Sequence, residues 1–264
     1  IYSDIKRAKI MVSSFRQKEI LDIARKDGKV TVDGLAEKYN VTVQTIRRDL
    51  SRLTETGKLE RVHGGAVVPS GVVNIEYEQR RLLNKAGKRN IAAECAARIP
   101  NGASVFINIG TTTEAVAREL LNHDNLLVVT NNLNIANILA TNKNCEIILA
   151  GGILRRLDGG IVGGLTVEMV KQFKFDYSIL GCSAIDTDGD LLDYDGQEII
   201  VSQTAINRSR KIIVVADYLK FERKAPLTNC SLSDANIIIT DKPLSEKLKN
   251  SCKEWKTEVI NTQN

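Results

Sequence analysis

Six short apolar runs constrain this chain more than any other feature. They are Ser104–Ile109, Leu126–Val129, Glu146–Leu149, Tyr177–Leu180, Ile212–Val215 and Ile237–Ile239, with helical stretches such as Glu114–Leu121 and Leu133–Ala140 between them. Strands that are apolar throughout are buried on both faces, which calls for a mainly parallel sheet with helices on either side. The expected fold is α/β. Such sheets bind ligands beyond the carboxyl ends of their strands, and there Gly, Thr, Asn and Asp collect. Asn108-Ile109-Gly110-Thr111-Thr112-Thr113-Glu114, Thr130-Asn131-Asn132, Ala150-Gly151-Gly152, Gly181-Cys182-Ser183 and Ala216-Asp217-Tyr218-Leu219-Lys220 close five of the runs. One such end is ordinary turn chemistry; five on one rim favour a binding site. In the first, Gly110 lets the backbone turn closely, and Thr111, Thr112 and Thr113 at a helix start make an anion cradle. The same residues also read as a threonine N-cap with Glu114 in the first turn, which needs no ligand. The loop lacks the Gly-Lys-Thr/Ser ending of a Walker motif.

The charge is uneven. Residues 1–66 hold 14 Lys and Arg against 9 Asp and Glu, a net of +5, and the other 198 residues hold 23 of each. A basic small segment joined to a neutral large one suggests an anionic partner for the small segment alone. Ile20, Leu21, Ile23 and Ala24 form a helical stripe after Ser13-Ser14, which Asp27-Gly28 ends, and Val30-Thr31-Val32 is a short extended piece. A second helix carries Leu35, Ala36 and Tyr39. After Asn40-Val41, Thr42 N-caps a third helix over Val43–Leu53, whose Val43, Ile46, Leu50 and Leu53 face the core. Its other face holds Gln44, Thr45, Arg47, Arg48, Ser51 and Arg52, side chains suited to base edges and phosphates. Gly57 to Ala66 reads as a two-stranded wing, with Arg61 and His63 placed to reach the backbone or minor groove. The segment is a winged helix-turn-helix, and its expected contacts to double-stranded DNA are Thr42, Gln44, Thr45, Arg47, Arg48, Arg52, Arg61 and His63.

The run Thr45-Ile46-Arg47-Arg48-Asp49-Leu50, followed by Arg61-Val62-His63-Gly64-Gly65-Ala66, resembles the N-terminal signature of the DeoR family of bacterial repressors. The strand-end segments are similar to that family's effector domain, so the resemblance covers about Ser14 to Asp241. It implies an effector domain related in fold to ribose-5-phosphate isomerase, and a recognition helix from Val43 onward. Asp49, whose carboxylate phosphates would repel, is expected to brace an arginine. The implied effector is a phosphorylated sugar or polyol, with glycerol 3-phosphate the candidate that Ile109–Thr112, Val129–Asn134, Ile148–Gly152 and Asp158–Ile161 bring forward. The implied ligand residues are Gly110, Thr111, Thr112, Thr113, Asn131, Gly151, Gly152, Asp217 and Lys220, with Asn131 or Asp217 reading hydroxyls and Lys220 adding charge. Two departures from the family pattern stand out. Asn108 stands where many members have Asp, and Ser202-Gln203 where a basic pair is expected after Glu198.

The domain organisation expected is a leader over residues 1–10 ahead of Met11, the DNA-binding domain over 11–68, a linker over 69–89 around Pro69-Ser70-Gly71, and an effector and oligomerisation domain over 90–264. An Ala-rich helix is expected at Ile91–Ile99. The alternative to a repressor is a phosphosugar isomerase-like enzyme using Asp186, Asp188, Glu198 or Lys220 as acid or base. Against it, an enzyme has no use for a basic winged helix, and Asp186-Thr187-Asp188-Gly189-Asp190 reads as a polar turn. Two histidines, His63 and His123, make neither a His-based triad nor a metal cluster. No apolar run approaches the ~18–20 residues that span a bilayer. Five scattered cysteines without a Cys-x-x-Cys pair suit reduced thiols in a cytoplasm. The reading is a cytoplasmic repressor with no cofactor, working as a homodimer or homotetramer because two-fold operators meet two-fold readers.

Overall fold

The structure, a computed structural model, describes residues 15–24, 27, 29–67 and 77–263. The expectations for residues 1–14, for Gly28 and for Pro69-Ser70-Gly71 lie outside them. By internal contacts the described chain forms two compact units. The smaller takes the residues up to Val67 together with Glu78–Asn84, and the larger takes Tyr77 and everything from Lys85.

The smaller unit starts with a helix over residues 15–24 (α1), a strand Lys29–Thr31 (β1) and helices Val32–Tyr39 (α2) and Val43–Glu55 (α3). Thr31 caps α2 by accepting from the Gly34 amide, and α2 stops where Asn40 turns left-handed at φ 48°. Thr42 then caps α3 through the Thr45 amide, 3.3 Å away. Strands Glu60–Val62 (β2) and Gly65–Val67 (β3) pair antiparallel around the His63-Gly64 turn, where Gly64 has φ +75°. β1 joins as a third strand on β3. There Gly65 is required, because a Cβ would lie 1.9 Å from the Val30 carbonyl oxygen. Ile20 and Ala24, Val30, Leu35, Ile46, Leu50, Leu53, Leu59 and Ala66 close one small core, with Val43 half-buried against it.

A short helix Tyr77–Leu82 (α4) and a longer one Lys85–Ala96 (α5) occupy the described part of the expected linker. The Ala-rich helix thus starts and stops earlier than Ile91–Ile99. The larger unit continues Ser104–Ile107 (β4), Thr111–Glu119 (α6), Leu126–Thr130 (β5), Leu133–Leu139 (α7) and Cys145–Leu149 (β6). A hairpin of Ile153–Arg155 (β7) and Gly160–Val162 (β8) precedes Gly164–Lys171 (α8) and Phe175–Leu180 (β9). Next come Ala184–Ile185 (β10), Asp190–Asp193 (β11), Gly196–Asn207 (α9), Ser209–Val215 (β12), Leu227–Ser231 (β13), Ile237–Thr240 (β14), Glu246–Trp255 (α10) and Glu258–Asn261 (β15).

Seven strands form one parallel sheet in the order β15-β14-β12-β9-β4-β5-β6. α5, α6 and α7 pack on one face around Val105, Ile107 and Val128, and α8, α9 and α10 on the other around Phe106, Leu180 and Val214. From β4 the chain steps outward to β5 and β6, then returns to β9 on β4's other side and runs outward again. The connections after β4 and after β9 therefore diverge to opposite faces, which opens a crevice at the carboxyl ends of these two strands. β10, β11 and β13 form a separate antiparallel sheet that apolar periodicity did not announce.

Candidate functional site

In the smaller unit the polar face of α3 reaches solvent. Thr42, Gln44, Arg47, Arg48, Arg52, Arg61 and His63 are exposed and Thr45 is half-buried. Arg47, Arg61 and His63 line one groove of about 410 Å³ together with Val32, Asp33, Val62, Gly64 and Gly65, so helix and wing contribute side chains to the same groove. Asp49 is buried on the opposite side. Its carboxylate accepts from Arg16 Nε at 2.6 Å and Gln17 Nε2 at 2.9 Å. It braces α1 against α3, as its charge suggested.

In the larger unit, Asn108 joins the two strands that flank the crevice. Its Nδ2 donates to the Gly181 carbonyl at 3.0 Å, and its Oδ1 accepts from the Gly181 amide at 2.8 Å. An aspartate has no N–H for that carbonyl, so the departure from the family pattern has a local cause. Directly after it, Gly110 precedes α6, and a Cβ there would press on Thr113 Oγ1 at 3.0 Å. The first-turn amides of α6 have no acceptor within the helix and carry its positive end. Thr111 and Thr112 are buried at this end. Beside the loop, Asn131 donates from Nδ2 to the Ile161 carbonyl at 3.0 Å, while its buried Oδ1 has no partner among the described residues.

Across the rim lies a buried charge cluster. Arg155 donates to both oxygens of Asp158 at 2.9 Å, to Asp195 at 2.7 Å and to Glu198 at 2.7 Å. Burial works against its charge, but the bonds to Asp158 and the charge of Glu198 outweigh it and hold its pKa above the ordinary range. A Cβ on Gly160 would meet Arg155 Nη2 at 3.3 Å and Ile109 Cδ1 at 2.6 Å, which sets this cluster against the Gly110 loop. Burial and the neighbouring Asp193 push Glu198 up to about 7 despite Arg155. Burial also raises Asp193, opposed by hydrogen bonds from Asn229 and Ser183 and by the charge of Lys220. Lys220 is itself buried, so its ammonium acts on the rim from within.

Three expected ligand residues take other roles here. The Thr113 hydroxyl, fully buried, points back to the Asn108 and Gly110 carbonyls at 2.9 and 2.8 Å, so its one proton holds the loop and only its amide is left to meet a ligand. Asp217 is buried and caps the following 3-10 turn by accepting from the Leu219 amide at 3.0 Å; it positions Lys220 rather than reading hydroxyls. Gly152 is a packing glycine: a Cβ would lie 2.2 Å from Thr166 Oγ1 and 2.7 Å from the Val162 oxygen. Gly151, after the edge strand β6, bonds to Thr166 and Met169 of α8. Gly110, Thr111, Thr112, Asn131 and Lys220 remain disposed around the crevice. Arg155 and Asp195 were not singled out from sequence; the spacing of Arg155 and Asp158 was the one local signal for them. Where a basic pair was expected, Gln203 donates to the Asn229 carbonyl at 2.6 Å and the buried Ser202 hydroxyl has no partner.

A winged helix-turn-helix joined to an α/β unit with a crevice at its strand ends is the architecture of a ligand-responsive regulator, and both parts match one family. Residues 16–72 match the DeoR-like helix-turn-helix domain and residues 83–242 the DeoR C-terminal sensor domain. The chain belongs to the DeoR family. It is 46% identical over 250 residues to the glycerol-3-phosphate regulon repressor of Haemophilus influenzae, covering 95% of this chain and 97% of that protein. It is 44% identical over 233 residues to the glycerol-3-phosphate regulon repressor of Escherichia coli (strain K12), covering 88% of this chain and 92% of that one. Ribose 5-phosphate isomerase A from Neisseria gonorrhoeae is similar over 52% of this chain and 53% of its own, at 15% identity and a TM-score of 0.39.

Proposed function

We propose that this protein is a transcriptional repressor that binds double-stranded operator DNA through α3 and the wing, and that glycerol 3-phosphate or a related phosphorylated polyol releases it. One observation carries the DNA half: Arg47 on the helix and Arg61 and His63 on the wing line a single groove on the exposed face of α3. Such a surface suits a helix in the major groove with the wing against the adjoining backbone. The names of the relatives support both halves. For the effector, the α6 amides and the Thr111 and Thr112 hydroxyls take the phosphate, Asn131 Oδ1 accepts from a hydroxyl, and Lys220 supplies positive charge. Of the four residues the isomerase alternative offers as acid or base, Asp186 and Asp188 accept from the amides of their own turn at 2.7 and 3.3 Å, in keeping with a polar turn. All five cysteines are unpaired, in keeping with a cytoplasmic setting. No described helix is long and apolar enough to cross a membrane.

The larger unit is the assembly surface in this reading. Ile153, Leu154, Leu157 and Leu165 are exposed on and beside the β7–β8 hairpin, and Leu157 is 81% exposed. Aliphatics concentrated in 13 residues of surface mark a contact site, here for a second copy of the chain, since two-fold operators require paired readers.

The test is operator binding by fluorescence anisotropy, titrated with glycerol 3-phosphate and then with a panel of other phosphosugars. Release by a phosphorylated polyol, and none by glycerol, is the expected result. Operator binding that no phosphorylated compound alters would refute the effector assignment.

A further inference from the structure

The structure assigns Tyr77 a task that follows from the effector reading above: it is a positioning residue that latches the first turn of α6 to the connection between the two units, and the arriving phosphate opens the latch. The Tyr77 hydroxyl donates to Glu114 Oε1 at 2.8 Å across 37 residues of chain. Asn134 Nδ2 donates to the Tyr77 oxygen at 2.9 Å, to the same Glu114 oxygen at 3.1 Å and to the Asp158 carbonyl at 3.0 Å. Glu114 is 2% exposed and stands in the first turn of α6, the turn proposed to receive the phosphate; its amide bonds to the Gly110 carbonyl at 2.9 Å and its other carboxylate oxygen lies 3.9 Å from Arg118 Nη2. Tyr77 is also where the chain changes units: it belongs to the larger one, and Glu78, the next residue, to the smaller.

The physics gives the direction. A carboxylate in the first turn is stabilised by the helix end, as an incoming phosphate is. Two anions in one helix turn repel, so phosphate binding disfavours the doubly hydrogen-bonded position in which the Glu114 carboxylate holds Tyr77. The latch is then closed without effector and weakened with it. That is a differential contact, which any ligand-driven shift requires. It follows that the closed latch belongs to the operator-binding state.

The experiment uses the full chain with Tyr77→Phe, which keeps the ring and removes the hydroxyl, its folding checked by circular dichroism. Operator affinity without effector is expected to fall about tenfold, and glycerol 3-phosphate affinity by calorimetry to rise by a similar factor, within the usual range of coupling. At saturating glycerol 3-phosphate the variant and wild type should bind operator alike. A purely structural tyrosine cannot move the two affinities in opposite directions. Glu114→Gln keeps an acceptor for Tyr77 but removes the repulsion. It should bind glycerol 3-phosphate more tightly and release operator poorly. Unchanged operator affinity in Tyr77→Phe, or both affinities shifting the same way, overturns the latch. If wild type ignores phosphorylated polyols while Tyr77→Phe still weakens operator binding, the effector assignment and the opening step both fail, and only the link between the Tyr77 contact and operator binding stands.

Discussion

Replacing Glu198 by Gln tests the electrostatics of the crevice without touching DNA contacts. Glu198 lies among Arg155, Asp158, Asp193 and Asp195, with its side chain 13% exposed. A carboxyl moved from 4.5 to about 7 has an ionised form that costs the folded state roughly 3 kcal/mol. The sign follows from linkage. The folded pKa is raised, so the stability this group contributes is complete below about pH 4.5 and is lost as pH rises through 7. Glutamine mimics the protonated acid and titrates nowhere. The stability of Glu198→Gln relative to wild type should therefore improve by about 2–3 kcal/mol between pH 5 and pH 8. At an m-value of roughly 2 kcal/mol/M that is a relative midpoint change of about 1–1.5 M urea. Trp255, the single tryptophan, stands in α10 of the larger unit, so urea titration by its fluorescence reports that unit. Parallel pH profiles for the two proteins would refute this account of the cluster.

Arg47→Ala and Arg48→Ala should each cost on the order of 1–3 kcal/mol of operator binding if they read bases; a phosphate-only arginine would instead flatten the salt dependence, and anisotropy at several salt concentrations separates the two. Gly110→Val crowds the loop against Thr113 and should give a protein that stays on its operator at glycerol 3-phosphate levels that release wild type. Thr112→Ala, which keeps the amides, should respond with a weaker midpoint. Leu157→Glu with Leu165→Glu places charge on the exposed aliphatic surface and should lower the mass measured by light scattering; an unchanged assembly would move the self-contact elsewhere.

The winged helix and the sheet were legible from sequence because their signals are local. The Ile46, Leu50 and Leu53 stripe, the Thr42 cap and the Asn40 turn are settled by interactions three or four residues apart, and each stands where the pattern put it. The same holds for strands β4, β5, β6, β9, β12 and β14, whose apolar composition alone demands burial on two faces. Helix ends were less legible: α5 begins at Lys85 rather than Ile91 because its first turn is polar. β7, β8, β10, β11, β13 and β15 were missed, being short strands without an apolar run, defined by their partners.

Residue identity alone placed polar groups on one rim; the tertiary structure decided which partners they meet there. Thr111, Thr112 and Thr113 are the same residue type in consecutive positions, and the sequence does not announce that the Thr113 hydroxyl turns back to two carbonyls. Asp217 looks like a hydroxyl reader and is a cap, while Arg155, which reads as part of a turn, gathers Asp158, Asp195 and Glu198. Tyr77 meets Glu114 and Asn134 across 37 and 57 residues. Such pairings depend on strand order, and the chain's return to β9 beside β4 sets that order. Periodicity and capping act over a few residues, whereas these contacts form only when the sheet has brought distant strand ends side by side.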